Sequence, residues 1–269
     1  MQDEKNLKRA ASSASDAARS VGALMRRHLA QAKRANEVTQ HDIKLELDVR
    51  SQKLIERTLH SAFPNVALLG EEGIAGDANA EHRWVVDPID GTVNFAYGIP
   101  HACVSIALQE RTDNPALAGY PDGYRTLVGV VYDPFCDEMW IAIRGQPARL
   151  NGRPIHVSRR SKLNEAIVSI GFAKDRETLE HMLPYFNQLV RRVRKTRIMG
   201  AAALALSYVA TGRFDAYIER SIRIWDIAAG GLIIECAGGE FWRKPVPGEH
   251  KYTMVASNGL LRRSLRVPN

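Results

Sequence analysis

The chain holds 269 residues, 45% hydrophobic and 25% charged, the balance of an ordinary globular protein long enough for one large or two modest domains. Its formal charge of +7 and pI near 9.4 favour anionic partners, although phosphorylated metabolites, RNA and acidic surfaces all satisfy that sign. Three cysteines, Cys103, Cys136 and Cys236, stand far apart with no Cys-x-x-Cys pair, which argues against a disulfide framework or a cysteine zinc site and fits a reducing compartment.

The polar start MQDEKNLKRA leads into a helical pattern rather than an apolar signal core. No apolar run approaches the roughly 20 residues needed to span a bilayer, so a cytoplasmic location is expected. Leu7, Ala11, Ala14, Ala18, Val21 and Met25 recur at steps of three and four, one face of a long amphipathic helix. A second helix follows Asp48, with Leu54, Ile55, Leu59, Ala62 and Phe63 on its buried side and Pro64 past its end. Strand-length apolar runs come next: Val66 to Leu69, Trp84 to Val86, Val104 to Leu108 and Val128 to Tyr132. Met139 to Ile143 is expected to return antiparallel after the Asp133-Pro134 turn signal.

In the second half, Ala166 to Ile170 reads as a strand and Asp175 to Val190 as a helix that Pro184 kinks or interrupts. Gly200 to Ala210 reads as a small-residue helix ending at Gly212, Phe214 to Ile218 as a strand, and Asp226 to Ala237 as a helix closed by Gly238-Gly239. Strands and helices mix without strict alternation, which points to an α+β fold of layered sheets and helices rather than a barrel. A boundary near residues 145–165 divides a lobe of residues 1–150, with most of the acids, from a lobe of 151–269, the two packed as one functional unit. The basic clusters Arg191 to Arg197 and Arg262 to Arg266 read as solvated faces.

Five acidic positions carry the chemistry. In WVVDPIDGTVNFAYGIP (84–100) an apolar strand ends at Asp87, Pro88 breaks it, and Asp90 follows just before Gly91-Thr92. The proline and glycine let both carboxylates face one side, and two close hard oxygen donors suit Mg²⁺. An ordinary strand-to-turn exit gives the same dipeptides. Gly70-Glu71-Glu72-Gly73 places acids at a strand's end, as α/β sites do, or else forms an exposed acidic loop. Asp226 is placed as the N-cap of its helix, and capping is compatible with ligation by its outward oxygen. Asp48 opens the second helix, where an acid complements the helix dipole.

Together these stretches resemble the inositol monophosphatase family, within the superfamily of lithium-sensitive, magnesium-dependent phosphatases that includes fructose-1,6-bisphosphatase. The likeness rests on LLGEEG (68–73), WVVDPIDGTVNF (84–95) and WDIAAGG (225–231) in the family's order. VGVVYDPFCDEMW (128–140) and GRFDAYIERSIRIWD (212–226) also match, so it spans nearly the whole chain. It implies a layered αβαβα sandwich, a homodimer and two or three Mg²⁺ ions. Glu71, Asp87 and the Ile89 carbonyl would hold the first, Asp87, Asp90 and Asp226 the second, and a third would share Glu71 through water. Asp48, Thr92 and Glu71 would serve catalysis, with Asp48 and Thr92 positioning the attacking water. The backbone at Gly91 and Thr92 would cradle phosphate, and Glu219 would bind a sugar or inositol hydroxyl.

Two departures stand out. Family members often carry Gly-Ser-Ala-Ala where this chain has Gly200-Ala201-Ala202-Ala203, so the substrate contact at Ala201 lacks a hydroxyl. HDIKLELD before Asp48 also lacks the commoner Val-Thr-x-x-Asp pattern. The expected activity is Mg²⁺-dependent hydrolysis of a small phosphate monoester such as inositol monophosphate, without a covalent intermediate. Fructose-1,6-bisphosphate, histidinol phosphate and 3′-phosphonucleotides are alternative substrates, and an RNA- or protein-binding factor on the same fold is the alternative of another class. Nucleic acid is not the expected main partner, because the acids repel it.

Overall fold

The computed structural model of the protein describes residues 3–31, 35–38, 43–77, 80–173 and 175–265. The chain opens with helix α1 (Glu4–His28), whose Leu7, Ala11, Ala14, Ala18, Val21 and Met25 are all buried, as their spacing predicts. A short antiparallel pair, β1 (Ala35–Val38) and β2 (Ile43–Leu45), leads into α2 (Glu46–Ala62). Next come β3 (Ala67–Gly70), β4 (Gly73–Ala75), β5 (His82–Asp90) and the single turn α3 (Thr92–Ala96). Antiparallel strands β6 (Cys103–Arg111), β7 (Tyr124–Asp133), β8 (Glu138–Ile143), β9 (Arg149–Leu150) and β10 (Arg153–Pro154) complete a sheet of order β10-β9-β8-β7-β6-β5-β3-β4.

The second half contains β11 (Ile167–Phe172), α4 (Arg176–Val190), β12 (Lys195–Arg197), α5 (Ala202–Ala210), β13 (Ala216–Arg223), α6 (Ile224–Cys236), β14 (Glu240–Pro245) and β15 (Lys251–Ser257). Its sheet has the order β12-β11-β13-β15-β14. The predicted β7–β8 hairpin forms, with Asp133 opposite Glu138 and the Asp133 carboxylate accepting the Phe135 and Cys136 N–H groups in the turn. Pro184 does not break its helix: α4 runs continuously through it. Pro184 lies on the exposed face, where water can reach the carbonyl that its missing N–H leaves unbonded.

Period-two alternation along the strands sorts side chains into layers. On β5, Trp84 and Val86 pack with α1 and α2, whereas Val85 faces α5 and α6. On the smaller sheet, Tyr217, Met254 and Ala256 face α5 and α6, while Ile218 and Val255 pack against Met182 and Leu189 of α4. The architecture is therefore an α+β sandwich of five layers: α1/α2, large sheet, α5/α6, small sheet, α4. The central layer joins the two sheets. α6 contributes Ile224, Ile227, Ile233 and Ile234, all fully buried, each worth about 1.5–3 kcal/mol. It approaches β7 closely at Gly129, where a Cβ would lie 2.7 Å from the Ala229 carbonyl oxygen.

Candidate metal centre and cleft

β3 and β5 run parallel, so their C-terminal ends reach one edge of the large sheet together. Glu71 follows β3 directly, and its N–H donates to Val86 O at 3.1 Å. A residue the sequence did not single out secures this turn: Gln52 accepts the Glu72 N–H through Oε1 (2.9 Å) and donates through Nε2 to Gly73 O (3.2 Å). Asp48 lies one turn before Gln52 on α2, so both share a helix face. Asp48 is buried, and its Oδ2 accepts the Leu45 N–H at 2.8 Å. It is the third residue of its helix rather than the opening one, because the chain already turns helical at Glu46.

Pro88 does not end the strand as expected: β5 continues to Asp90, and its pairing with β6 only slips between Asp87 and Asp90, around Pro88, which has no N–H for the ladder. Asp87 Oδ1 accepts the Ile89 N–H at 2.9 Å, and the Thr92 hydroxyl donates to Ile89 O at 2.9 Å. Gly91 adopts φ 91°, where a Cβ would sit 3.0 Å from His101 O and 3.1 Å from the Ala201 methyl. The loop thus lies against the start of α5. Asn94 reinforces this contact, donating through Nδ2 to His101 O (3.0 Å) and Met199 O (2.8 Å).

Asp90 bridges the two halves of the chain. Its Oδ1 accepts the Ala202 N–H (3.0 Å), and its Oδ2 accepts the Ala203 N–H (2.7 Å) and the Cys103 thiol (3.4 Å). Ala201, the N-cap of α5, has no side-chain oxygen to offer, and Asp90 takes its place by accepting the Ala202 N–H from 112 positions away. Asp226 is third in α6, with Arg223 as the N-cap, and its Oδ2 accepts the Arg223 N–H at 3.0 Å. The expectation of Asp226 as N-cap is thus corrected by one turn's geometry: Ile224 and Trp225 already lie in the helix.

The fold brings Asp87, Asp90 and Asp226 together, with one carboxylate oxygen from each within 4.8 Å of the others. Asp87 and Asp90 are only 2% and 6% exposed, and Asp226 is half-buried. Burial pushes Asp87 well above the usual carboxylate range, and the charges of Glu71, Asp90 and Asp226 push it further. Burial, then Asp90 and Glu71, does the same to Asp226. Burial raises Asp90 to about 6 against the pull of the Ala202 and Ala203 N–H bonds. Among the described residues, no Lys or Arg pairs with any of the three. Crowded, buried, hard oxygen donors without a basic partner fit a divalent cation such as Mg²⁺.

The cluster opens into a cleft of about 490 Å³ lined by Asp90, Asp226, Ala201, Glu219, Ser169 and Met199, among others. Ala201 is 3% exposed and offers only a methyl group. Glu219 accepts the Tyr217 hydroxyl, and burial raises its carboxyl to about 7. Gln52, Cys103 and Tyr217 are the site residues that the sequence reading missed. Gln52 carries a signal, a polar residue four positions after Asp48, whereas Cys103 and Tyr217 sit in apolar strand patterns and carry none.

The sequence profile of the inositol monophosphatase family matches residues 6–258. Nus factor SuhB of Xylella fastidiosa is 38% identical over 228 residues, covering 83% of this chain and 78% of that protein. Inositol monophosphatase 1 of Solanum lycopersicum is 37% identical over 231 residues, covering 83% and 80%. Among solved structures, the extragenic suppressor protein suhB of Bartonella henselae superposes with a TM-score of 0.84 at 31% identity, covering 94% of this chain and 95% of that one.

Proposed function

Because the chain belongs to the inositol monophosphatase family, we propose that it is a magnesium-dependent phosphoric monoester hydrolase acting on inositol monophosphate or a similar polyol phosphate. The observation that carries this reading is the convergence of Asp87, Asp90 and Asp226 at the wall of a cleft large enough for a small phosphate ester. When bound, Mg²⁺ would neutralise the phosphate dianion and make a water acidic enough to attack at neutral pH.

The chain's own groups do the rest. Asp87, Asp90 and Asp226, with Glu71 and the Ile89 carbonyl, would hold two or three ions, which requires their carboxylates to be ionised. The Thr92 hydroxyl donates to Ile89 O, which leaves its lone pairs free to accept a hydrogen bond from the attacking water and orient it. Asp48, fixed by its bond from Leu45, orients the same water. The N–H groups of Gly91 and Thr92 receive the phosphate, Ala201 packs beside it, and Glu219 meets a hydroxyl of the alcohol. No side chain forms a phosphoenzyme. The site draws on both residues 1–150 and residues 151–269, so the two lobes work as one unit.

A panel of phosphate esters, compared by kcat/KM with Mg²⁺ and with chelator, tests this reading. Hydrolysis of inositol 1-phosphate that chelator abolishes is expected. Faster turnover of fructose-1,6-bisphosphate, histidinol phosphate or a 3′-phosphonucleotide would move the substrate, and no hydrolysis of any ester would overturn the proposal. Millimolar Li⁺ inhibition, a homodimer by light scattering and a cytoplasmic location belong to the same reading.

A second reading, a factor that binds RNA or protein, draws on the Nus factor relatives and on the exposed Arg191, Arg192, Arg194, Lys195 and Arg197. Steeply salt-dependent RNA binding without hydrolysis would favour it.

A further inference from the structure

Glu219 stands apart from the carboxylate cluster, and three features of the small sheet converge on it. Tyr217, two residues back on the same strand face, donates its hydroxyl to Glu219 Oε2. Its ring is 4% exposed and is locked into the central core. On the neighbouring strand, Gly171 is registered opposite Glu219, and the carboxylate lies across it, where any Cβ would collide with both oxygens. Just beyond Glu219, β13 loses register with β15, and Ser221 takes φ 64° with its hydroxyl 3.0 Å from Thr178 Oγ1. A bulge of this kind re-aims the side chain beside it. Burial raises the Glu219 carboxyl, and the Tyr217 hydrogen bond opposes that rise.

We propose that Tyr217 and Gly171 are positioning residues that hold the Glu219 carboxyl in the cleft, where it selects phosphate esters whose alcohol bears a neighbouring hydroxyl. The inference rests on the proposed function and adds to it the residues that set leaving-group selectivity. An anchored hydrogen-bond acceptor discriminates because an alcohol without the matching hydroxyl leaves it unpaired. Without the Tyr217 hydroxyl the Glu219 side chain regains rotamer freedom. With a methyl at position 171 it loses its resting place.

The test compares inositol 1-phosphate with 4-nitrophenyl phosphate, which has no vicinal hydroxyl. In Tyr217→Phe the ratio of their kcat/KM values falls about tenfold, chiefly through KM, the size expected for one hydrogen bond to a charged group. Gly171→Ala shifts the ratio in the same direction and stands in if Tyr217→Phe does not fold. In a Glu219→Gln background, Tyr217→Phe adds nothing, because the two act as one unit. A readout independent of turnover is the carbon-13 titration of the Glu219 carboxyl in metal-free protein, which moves upward in Tyr217→Phe. An unchanged ratio, additive effects with Glu219→Gln, or an unmoved Glu219 titration would each overturn the proposal. If the wild-type chain hydrolyses neither ester, the proposed function fails, and the titration still decides whether Tyr217 holds Glu219.

Discussion

Two strands lose register where they deliver acids to the same cleft, and they do so by different means. β5 slips against β6 between Asp87 and Asp90, and β13 slips against β15 between Glu219 and Ile222. The first slip is marked by Pro88 and Gly91, and it crowds like charges that raise one another's affinity for protons or cations. The second has no glycine or proline: Ser221 takes the left-handed conformation, and one carboxyl is held by a neutral phenol. The difference teaches that a shared backbone device serves opposite electrostatic ends. One bulge gathers carboxylates that could hold a cation, and the other isolates a single hydrogen-bonding group.

The largest expected effect comes from emptying the crowded side. Asp87→Asn should lower kcat with Mg²⁺ by about 10²–10³-fold while circular dichroism stays native, the size expected for losing one charge-stabilising group in an enclosed site. Near wild-type turnover would erase the contrast between the two bulges. Asp90 differs from Asp87 because it also caps α5. Asp90→Ala strands the Ala202 and Ala203 N–H groups and should cost about 2 kcal/mol in urea unfolding of the metal-free protein, whereas Asp87→Asn relieves repulsion and costs none.

Backbone strain offers a smaller contrast. Gly91→Ala meets both a φ of 91° and oxygens at 3.0 and 3.2 Å, and should cost about 1–2 kcal/mol. Ser221→Gly, which trades strain for the lost Thr178 contact, should stay within about 1 kcal/mol of wild type. Unfolding midpoints in urea compare the pair directly.

The pH response of the chelated protein sharpens the electrostatic half. Asp90, raised from 3.8 to about 6, and Glu219, raised from 4.5 to about 7, bind protons more firmly folded than unfolded. The unfolded chain therefore carries fewer protons across those windows, and stability falls as pH rises through them, between about 4 and 7. Melting temperature without metal should be higher at pH 5.5 than at pH 8, and Mg²⁺ should restore it at pH 8. A melting temperature that rises with pH in chelator would contradict the crowding.

The layered α+β character and the irregularity in β5 are legible in the sequence, because apolar runs, helical spacing, Pro88 and Gly91 mark them locally, whereas the five-layer order follows only from the family resemblance and β5 continues through Pro88 to Asp90. Helix starts are read less accurately. Asp48 and Asp226 look like openers, yet both sit third in their helices and reach back to the N-cap N–H. Pro184 looks like a break, and solvent on its face tolerates the lost bond. The cap of α5 is invisible from Ala201 because the accepting carboxylate, Asp90, lies on the large sheet. Tyr217 hides within an apolar strand for the same reason: its role depends on a neighbour that only the fold supplies.

Anomalous diffraction from crystals equilibrated with Mn²⁺, a scatterer that accepts the same oxygen ligands as Mg²⁺, tests the central claim most directly. The account predicts anomalous density between the carboxylates of Asp87, Asp90 and Asp226, with Glu71 turned toward it. Carboxylates still sharing protons at saturating Mn²⁺, with no anomalous density between them, would contradict it.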